Sequence, residues 1–449
     1  MQQKPGTDGS VHKGKNRGQT DLSTRVGGKV LVDVHCWGQI RLSPVFAFPR
    51  FLFLVVFALA SLAWGADTRP KVRAITAFIN IDPKTYSTEI ENTVQFLNSV
   101  REAYRGAGFE VEGIRIATQP FTRYIGGMKR EEALAFFHKL DELSTKLKYA
   151  PNIGAAMVED GDDASLLDLL ATVLATSRLN ASLIVAGEDG VHWRAIREAA
   201  RLIKNTAERS PHGGGNFNFA VTAMVKPYGP FYPGAYHLGT CHTFAVGLEG
   251  ANVVADVFAQ YHEPRAAEKQ LAEALSRHMR DAEAVATKVA KISGWTYAGI
   301  DPTPAPLGDV SIGRAIESFT GGPFGVSGTM TAAGIITRAV QSVPVKRVGY
   351  SGLMVPVLED NVLAKRWAEG TFNMDSLLAY SAVCAGGLDT VPLPGDITET
   401  QIGRILGDVA SLAYKWQKPL AARLLPVPGK KAGDRTEFAD PRMANTVIR

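Results

Sequence analysis

The sequence predicts an α/β protein with a mainly parallel β-sheet or barrel. Short runs rich in β-branched residues alternate with amphipathic stretches along the chain after residue 71, and this alternation is typical of α/β folds. Glycine-rich loops at the ends of the β-rich runs are concentrated in the C-terminal half. Because α/β proteins carry their sites in strand-end loops, we expect the functional site there.

The first elements show how each run is assigned. Residues 72–81 read VRAITAFINI, an apolar run typical of a buried strand. The stretch 85–105 has Ile90, Val94 and Leu97 on one helical stripe, and Gly106 ends it. By the same criteria we expect further strands at residues 109–117, 152–158 and 181–186, and further helices at residues 129–147, 163–179 and 191–208.

The second half begins with a change of composition. SPHGGGNFN at residues 210–218 reads as a loop and is the best candidate for a domain boundary. We expect strands at residues 219–225, 243–248 and 295–300, and helices at residues 252–261, 264–292, 311–319, 330–341, 361–369, 373–383 and 399–415. Residues 424–438 read as an extended loop.

Two similar stretches in this half predict a pocket. Residues 347–360 read RVGYSGLMVPVLED, and residues 380–396 read YSAVCAGGLDTVPLPGD. Each combines an apolar, strand-like run with Tyr-Ser, glycines and a terminal acid. Because glycine lets a backbone approach a ligand closely, we interpret both stretches as pocket walls.

The charge balance gives no reason to expect nucleic acid as a partner. The 449 residues are 45% hydrophobic and 21% charged, with a formal net charge of +5. Residues 1–66 hold eight of the 49 basic and three of the 44 acidic residues, which leaves 41 of each in the rest. A neutral body gives no compositional reason to expect a nucleic acid or an anionic membrane surface as a partner.

The N-terminal region predicts export. Residues 1–44 are polar, glycine-rich and without periodicity, which is typical of disorder. Arg50, thirteen apolar residues at 51–63 and small residues after them indicate a signal peptide over residues 45–66. Thirteen residues are too few for a membrane span, so we expect membrane contact only through an uncleaved leader. The long segment before the leader is atypical, and we expect the true start near Val45. The expected location is periplasmic or secreted.

Two cysteines follow the leader, Cys241 and Cys384. They could form one disulfide in an oxidising compartment, but their spacing provides no metal knuckle. Cys241 lies in the sequence HLGTCH, between His237 and His242. A nearby histidine can lower the pKa of a thiol and activate it as a nucleophile. The alternative for each cysteine is a small buried hydrophobe, which we prefer for Cys384.

Four motifs resemble the bacterial and archaeal domain-of-unknown-function family seven-eleven. They are SIGRAIESF at residues 311–319, RVGYSGLMVPVLED, GLDTVPLPGD at residues 387–396 and LLPVPGKKAGDRTEF at residues 424–438. The resemblance runs from about Arg73 to the C-terminus. It implies a fold similar to pyruvate formate-lyase, with one α/β-barrel domain over residues 67–449 and a site inside the barrel. It implies no particular chemistry, and it supplies no catalytic residues. The export signal departs from the usual family member.

The sequence argues against glycyl radical chemistry. Residues 347–350, RVGY, are similar to the glycine motif of glycyl radical enzymes, but the spacing between valine and glycine is one residue too short. About a hundred residues follow the motif, whereas the radical glycine lies near the C-terminus in those enzymes. The adjacent cysteine pair of formate-lyases is also missing.

Five carboxylates each lie at the end of an apolar run or beside glycine. Such a placement suits a general base, or oxygen ligands for a divalent ion such as Mg²⁺ or Ca²⁺. The alternative is a helix N-cap, which is the better interpretation for any one of them taken alone. The five are Asp301, Glu359, Asp360, Asp389 and Asp396; we assign the metal-ligand alternative to Asp360 and Asp396.

Two glycine-rich loops are candidates for anion binding. GGPFGVSGT at residues 321–329 leads into a predicted helix N-terminus. The loop at residues 428–438 offers Lys430, Lys431 and Arg435. Neither loop has the P-loop spacing, and a packed turn is the alternative for both. Six aromatic residues either line a pocket wall or pack in the core: Phe217, Phe219, Tyr228, Phe231, Tyr232 and Tyr236.

Together these features predict an exported enzyme of hydrolase or lyase type acting on a small polar or anionic metabolite. We expect acid–base residues from Asp301, Glu359, Asp389 and His237, and a nucleophile or proton donor from Cys241, Tyr350 or Ser351. The alternative is a non-catalytic periplasmic small-molecule-binding protein; a homo-oligomer is compatible with either. No cofactor is identified beyond the divalent metal ion considered above.

Overall fold

The computed structural model describes residues 68–449. The predicted disordered extension and signal peptide, residues 1–44 and 45–66, lie outside the described residues. Within residues 68–449, no helix has the length and apolarity needed to cross a membrane.

The described residues form a mixed α/β fold around a ten-stranded sheet. Along the sheet the strand order is β8-β7-β1-β2-β3-β4-β6-β10-β9, and β5 pairs with β4 off this path. The strands are β1 (Lys71–Ile79), β2 (Ile114–Thr118), β3 (Ala150–Ala155), β4 (Asn180–Gly187), β5 (Gly190–Val191), β6 (Phe219–Ala223), β7 (Thr243–Glu249), β8 (Thr296–Asp301), β9 (Gly387–Pro394) and β10 (Leu420–Val427).

Strand direction divides the sheet into two sets. β1, β2, β3, β4 and β6 run parallel to one another. β7 and β8 are parallel to each other and antiparallel to β1, and β9 and β10 are parallel to each other and antiparallel to β6. The prediction of a mainly parallel sheet is therefore confirmed.

Helices follow most strands and cover the sheet. They are α1 (Tyr86–Gly106), α2 (Arg130–Leu147), α3 (Leu167–Thr176), α4 (Trp193–Arg209), α5 (Ala251–Phe258), α6 (Pro264–Ser293), α7 (Ile312–Thr320), α8 (Thr329–Ser342), α9 (Asn361–Glu369), α10 (Met374–Ser381) and α11 (Glu399–Trp416). The predicted stripe on α1 is buried as expected, including Ile90, Val94 and Leu97. Removing one such side chain from water contributes roughly 1.5–3 kcal/mol.

Two segments differ from their predictions because of burial. Residues 210–218 are not an open loop: they coil as a 3₁₀ segment, Pro211–Asn218, and Phe217 is buried. The first four residues of the predicted C-terminal loop, 424–427, belong to β10. Their apolar side chains are buried, and they pair in parallel with β9.

The stretch 347–357 was predicted to be strand-like and is instead irregular. Each edge strand of the sheet makes one isolated parallel bridge with it: Ile300 of β8 with Arg347, and Asp389 of β9 with Pro356. Between these bridges, the carboxylate of Asp301 accepts hydrogen bonds from the backbone N–H groups of Tyr350 and Ser351. In a β-strand these N–H groups would bond to a neighbouring strand. In the described part of the chain no strand pairing joins β8 directly to β9.

Candidate functional site

A cavity of about 250 Å³ lies where the parallel strands begin. Arg73 of β1, Arg115 of β2 and the first residues of β3 and β4 line it. Asp389 of β9 and Arg423 of β10 line the same space. The sequence pointed to the carboxyl ends of the strands, but this cavity lies at the amino ends of the parallel set.

Buried ion pairs form one wall of the cavity. The Arg423 guanidinium donates to Asp389 Oδ1 at 2.5 Å and also to Glu359. The Nη1 of Arg73 donates to Glu249 at 2.9 Å, and its Nη2 lies 3.6 Å from Glu359. All five side chains are at most 12% exposed. Removing one partner from such a buried network leaves an uncompensated charge, which is strongly destabilising.

The two carboxylates bound to Arg423 have opposite pKa shifts. Burial raises the pKa of Asp389, and the attraction of Arg423 only partly opposes this effect. Burial also disfavours ionised Glu359, but the charges of Arg423 and Arg73 outweigh it and hold the pKa of Glu359 below its usual range. The two carboxylates therefore lie in different electrostatic environments, a difference that acid–base sites exploit.

Asp389 has one oxygen available. Its Oδ1 accepts the hydrogen bond from Arg423, and its Oδ2 accepts no hydrogen bond within residues 68–449. Tyr350 also lines the cavity. Burial raises the pKa of its phenol, and the negative charge of Asp389 raises it further, so Tyr350 is a neutral hydrogen-bond donor at neutral pH.

A second acidic group adjoins the cavity at the end of β7. Burial and the neighbouring carboxylate of Glu112 raise the pKa of Glu249 to about 7, although Arg73 opposes the shift. Glu112 itself lines the cavity.

Arg115 lacks a carboxylate partner. Its guanidinium lies 4.9 Å from the centroid of the Tyr232 ring, and no ion pair or hydrogen bond to its side chain occurs in the described chain. Burial and the positive charge of Arg73 lower the pKa of Arg115 to about 10, so it remains a cation at neutral pH.

Aromatic and aliphatic side chains complete the lining. Phe217 lies between two guanidinium groups, 5.2 Å from that of Arg423 and 4.7 Å from that of Arg442. Of the six aromatic residues singled out in the sequence, Phe217, Phe231 and Tyr232 line the cavity. The pocket-wall interpretation therefore fits these three.

Of the seven predicted catalytic residues, Tyr350, Glu359 and Asp389 line the cavity. Asp301 is fully buried behind it. Its Oδ2 accepts the N–H of Tyr350 at 2.7 Å, and its Oδ1 accepts the N–H of Ser351 at 3.0 Å as well as both donors of Thr303. Burial raises the pKa of Asp301 to about 6 despite these bonds. The carboxylate fixes a turn and has no free face toward the cavity.

Close approach at the glycines of both stretches is to protein rather than to a ligand. Gly349 has a φ of 69°, and a Cβ there would lie 2.1 Å from Oδ2 of Asp301. Gly387 has a φ of 81°, and a Cβ there would lie 2.1 Å from the carbonyl oxygen of Ala421 on β10. The turn glycine at 349 is therefore what allows Asp301 to reach the backbone of the next two residues.

The histidine and cysteine candidates lie away from this cavity. His237 is completely buried, and neither ring nitrogen has a hydrogen-bond partner in the described chain. Burial, with a smaller contribution from His242, lowers its pKa to about 4, so it is neutral at pH 7. Cys241 is exposed and Cys384 is buried, and both are free thiols rather than a disulfide.

The two candidate metal ligands do not come together. Asp360 is a buried N-cap: its Oδ1 accepts the N–H groups of Val362 and Leu363 at the start of α9. Its carboxylate also accepts from Ser311 and Gly313 at the start of α7. Asp396 is exposed. Among residues 68–449, no group of three or more His, Cys, Asp or Glu side chains could hold a metal ion.

The predicted anion-binding residues do not line the cavity. Lys430 pairs with Glu437 at 2.9 Å, Arg435 donates to the carbonyl of Asn445, and Lys431 is exposed. In the loop at 321–329, internal partners take the N–H groups of Phe324 and Gly325. The packed-turn alternative accounts for that loop.

Sequence reasoning missed the arginines. Arg73, Arg115 and Arg423 each interrupt an apolar strand run, in VRAIT, GIRIA and AARLL. A charged residue is almost never buried unless it is paired or functional. A single arginine inside an apolar strand was therefore the available signal. Arg442 follows no such pattern.

Fold and site together define an α/β protein with an arginine-lined cavity at the amino ends of its parallel strands. The chain belongs to the family described as Uncharacterised ACR (DUF711), whose family model matches residues 66–440. The family resemblance drawn from the sequence motifs is thereby confirmed.

Similar proteins come from archaea and bacteria. A UPF0210 protein of Pyrobaculum aerophilum is 32% identical over 81% of this chain and 86% of its own length. A UPF0210 protein of Carboxydothermus hydrogenoformans is 32% identical over 76% of this chain and 79% of its own. One from Methanocaldococcus jannaschii is 28% identical over 78% of this chain and 81% of its own.

Proposed function

We propose that this protein is an exported enzyme that acts on a small polar or anionic metabolite by acid–base chemistry, of hydrolase or lyase type. The observation that supports it is the pairing, in one cavity, of carboxylates with opposed pKa shifts and an arginine without a counter-ion. Perturbed carboxylates in a cleft are typical of functional sites, although structural ion pairs also perturb pKa values.

In this proposal Asp389 exchanges the proton. Its pKa is raised, and its Oδ2 is free to meet a substrate atom. Arg423 orients the carboxylate through Oδ1, and Glu359 keeps Arg423 in place as its second anion. Arg115 binds the negative group of the metabolite, and the Tyr350 phenol donates a hydrogen bond to it.

The proposal also includes closure of the sheet and export of the chain. The parallel bridges of Arg347 with β8 and of Pro356 with β9 support an α/β barrel similar to pyruvate formate-lyase, in which the irregular stretch takes the place of one strand. The apolar run at residues 51–63 supports a signal peptide and a periplasmic or secreted location.

The second candidate function is a non-catalytic small-molecule-binding protein. It is favoured by the ion pairs of Arg423, because Glu359 and Asp389, two of the acids that line the cavity, already have a cationic partner. Ion pairs of this kind can hold the side chains of a binding site in place, and this role requires no proton transfer.

The test is a turnover screen of small anionic metabolites with the full chain and with Asp389→Asn. If the enzyme proposal holds, Asp389→Asn abolishes turnover but retains binding, because Arg115 is untouched. Asp396→Asn is the matched control, since Asp396 is exposed and does not line the cavity. Equal turnover in Asp389→Asn and wild type would contradict the assigned role. Binding without turnover in the wild type would favour the second candidate.

A further inference from the structure

The arginines around the cavity differ in charge compensation. Arg73, Arg423 and Arg442 each have a carboxylate oxygen within 2.9 Å. Arg115 has no carboxylate within ion-pair distance in residues 68–449, although it lines the same cavity. Burying a charged group without a partner is costly. A ligand with one negative charge would supply the missing partner.

The surroundings of Arg115 favour an anion over a neutral ligand. Among the charged groups that act on Arg115, Arg73 has the largest effect and Arg442 adds to it, and the negative charge of Glu359 opposes them only in part. The guanidinium carbon of Arg115 lies 4.9 Å from the centroid of the Tyr232 ring, and its N–H groups make no hydrogen bond within residues 68–449. These N–H groups are therefore available for a carboxylate.

Part of the cavity lining is apolar. Phe231, Ala305, Tyr350, Met354 and Ala421 belong to a cluster of buried side chains that is separate from the main core, and all five line the cavity. A ligand that is bound at Arg115 and fills this space would contact these apolar side chains.

The size of the cavity suits a small ligand. A volume of about 250 Å³ is just below the ~300 Å³ at which ordinary ligand pockets begin. A carboxylate with an apolar body of four to six carbons, as an order-of-magnitude estimate, fits this space.

We infer that the ligand is a small monocarboxylate with an apolar body, bound through its carboxylate by Arg115. This inference rests on the proposed function of the same cavity and narrows it to one substrate class. A dicarboxylate would place a second charge against the apolar wall, and a neutral amide would leave the Arg115 charge uncompensated.

Calorimetric titration of the full chain with acetate, butyrate and hexanoate tests the inference, with hexanamide and adipate as comparison probes. We expect affinity to rise about fourfold for each added methylene. Hexanamide and adipate should each bind at least about tenfold more weakly than hexanoate. Equal binding of hexanamide and hexanoate, or tighter binding of adipate, would overturn the inference.

Two variants separate the ends of the site. Arg115→Met should weaken hexanoate binding at least about tenfold, while Arg314→Met, which changes an exposed arginine on α7, should have no effect. Ala305→Phe should fill the apolar end and weaken hexanoate binding while acetate binding persists. Circular dichroism and a thermal melt show whether each variant is folded. If Arg115→Met does not fold, the binding of acetate and hexanoate to Ala305→Phe still tests the inference. Loss of acetate and hexanoate binding together in folded Ala305→Phe would contradict the assigned orientation.

The two proposals can fail separately. If neutral or dianionic metabolites bind instead, and Ala305→Phe blocks them, the cavity remains a small-molecule site and only the monocarboxylate assignment fails. If none of the probes and no metabolite in the turnover screen binds the wild-type chain, the proposed function fails with it.

Discussion

Two kinds of buried carboxylate occur in this protein. Asp301 and Asp360 accept hydrogen bonds from backbone N–H groups and hydroxyls, and they fix a turn and two helix starts. Glu359 and Asp389 instead form ion pairs with Arg423 in the wall of the cavity. In the sequence all four follow apolar runs and look alike. The hydrogen-bond donor therefore distinguishes an acid with a structural role from an acid in the cavity. Backbone N–H groups occupy both oxygens of a carboxylate, whereas a single guanidinium can leave one oxygen free.

The largest expected effect concerns the cavity acids. Arg423→Met should lower the free energy of unfolding by ~3–5 kcal/mol, because it leaves two buried carboxylates without their main cation. Urea denaturation measures this change. Arg366→Met is the matched control: Arg366 pairs with Glu317 and Glu369 at 20–39% exposure, and pairs of that kind contribute only ~1 kcal/mol or less. Equal costs for the two variants would show that the cavity network is solvated.

The next effect concerns the turn acid. Asp301→Asn should lower the free energy of unfolding by ~1–3 kcal/mol, because an amide nitrogen cannot accept the backbone N–H of Tyr350. Asp408→Asn, on the surface of α11, should change it by less than ~0.5 kcal/mol. Urea denaturation at pH 7 compares the two, and an unchanged value for Asp301→Asn would mean that the turn holds without its carboxylate.

The stability contributions of Asp301 and Glu359, one acid of each kind, should respond to pH with opposite sign. The pKa of Asp301 is raised from 3.8 to about 6 in the folded state. The native protein therefore binds more protons than the unfolded chain in this window, and the contribution of Asp301 to stability falls as pH rises. The pKa of Glu359 is lowered from 4.5, so its contribution is present above pH 4.5 and is lost as pH falls further.

Unfolding titrations at pH 7, 5 and 3.5 test this difference. On acidification, the stability deficit of Asp301→Asn relative to wild type should grow between pH 6 and 4, whereas that of Glu359→Gln should shrink below pH 4.5. Deficits that change in the same direction would contradict the assignment of the two environments.

The smallest pair of effects contrasts two acids at apparent helix starts. Asp360→Ala should cost ~0.5–2 kcal/mol, the usual range for a lost N-cap, and the upper end is expected because Asp360 serves both α7 and α9. Asp396→Asn should cost less than ~0.5 kcal/mol. Thermal melts resolve this difference, and a negligible cost at Asp360 would argue against the cap.

The sequence predicted correctly those helices and strands whose bounds are set by contacts between residues close together in the chain. Residues 361–369 were predicted as a helix and are α9 with the same bounds, because Asp360 caps its first turn and Gly370 takes the left-handed conformation after its last. The strand β1 and the buried stripe of α1 were likewise readable from periodicity.

Structure that depends on contacts between residues far apart in the chain could not be predicted from such local patterns. The stretch at 347–357 has a strand-like composition, but the carboxylate of Asp301, 49 and 50 residues earlier in the chain, accepts the backbone N–H groups of Tyr350 and Ser351. The run from Leu424 was assigned to a loop because of its prolines and later glycines, although burial against β9 makes it a strand. Assigning it to a loop also hid Arg423, so the cation that joins Glu359 and Asp389 was missed.

The irregular stretch at 346–357 has a consequence for solubility. Exposed edge strands present unpaired N–H and C=O groups that can recruit strands from other molecules. Here Ile300 on one edge strand exchanges hydrogen bonds with Lys346 and Val348, and the carbonyl of Asp389 on the other edge accepts the N–H of Val357. A single length of chain thus covers part of both edges, and substitutions that loosen it should expose two aggregation-prone surfaces at once.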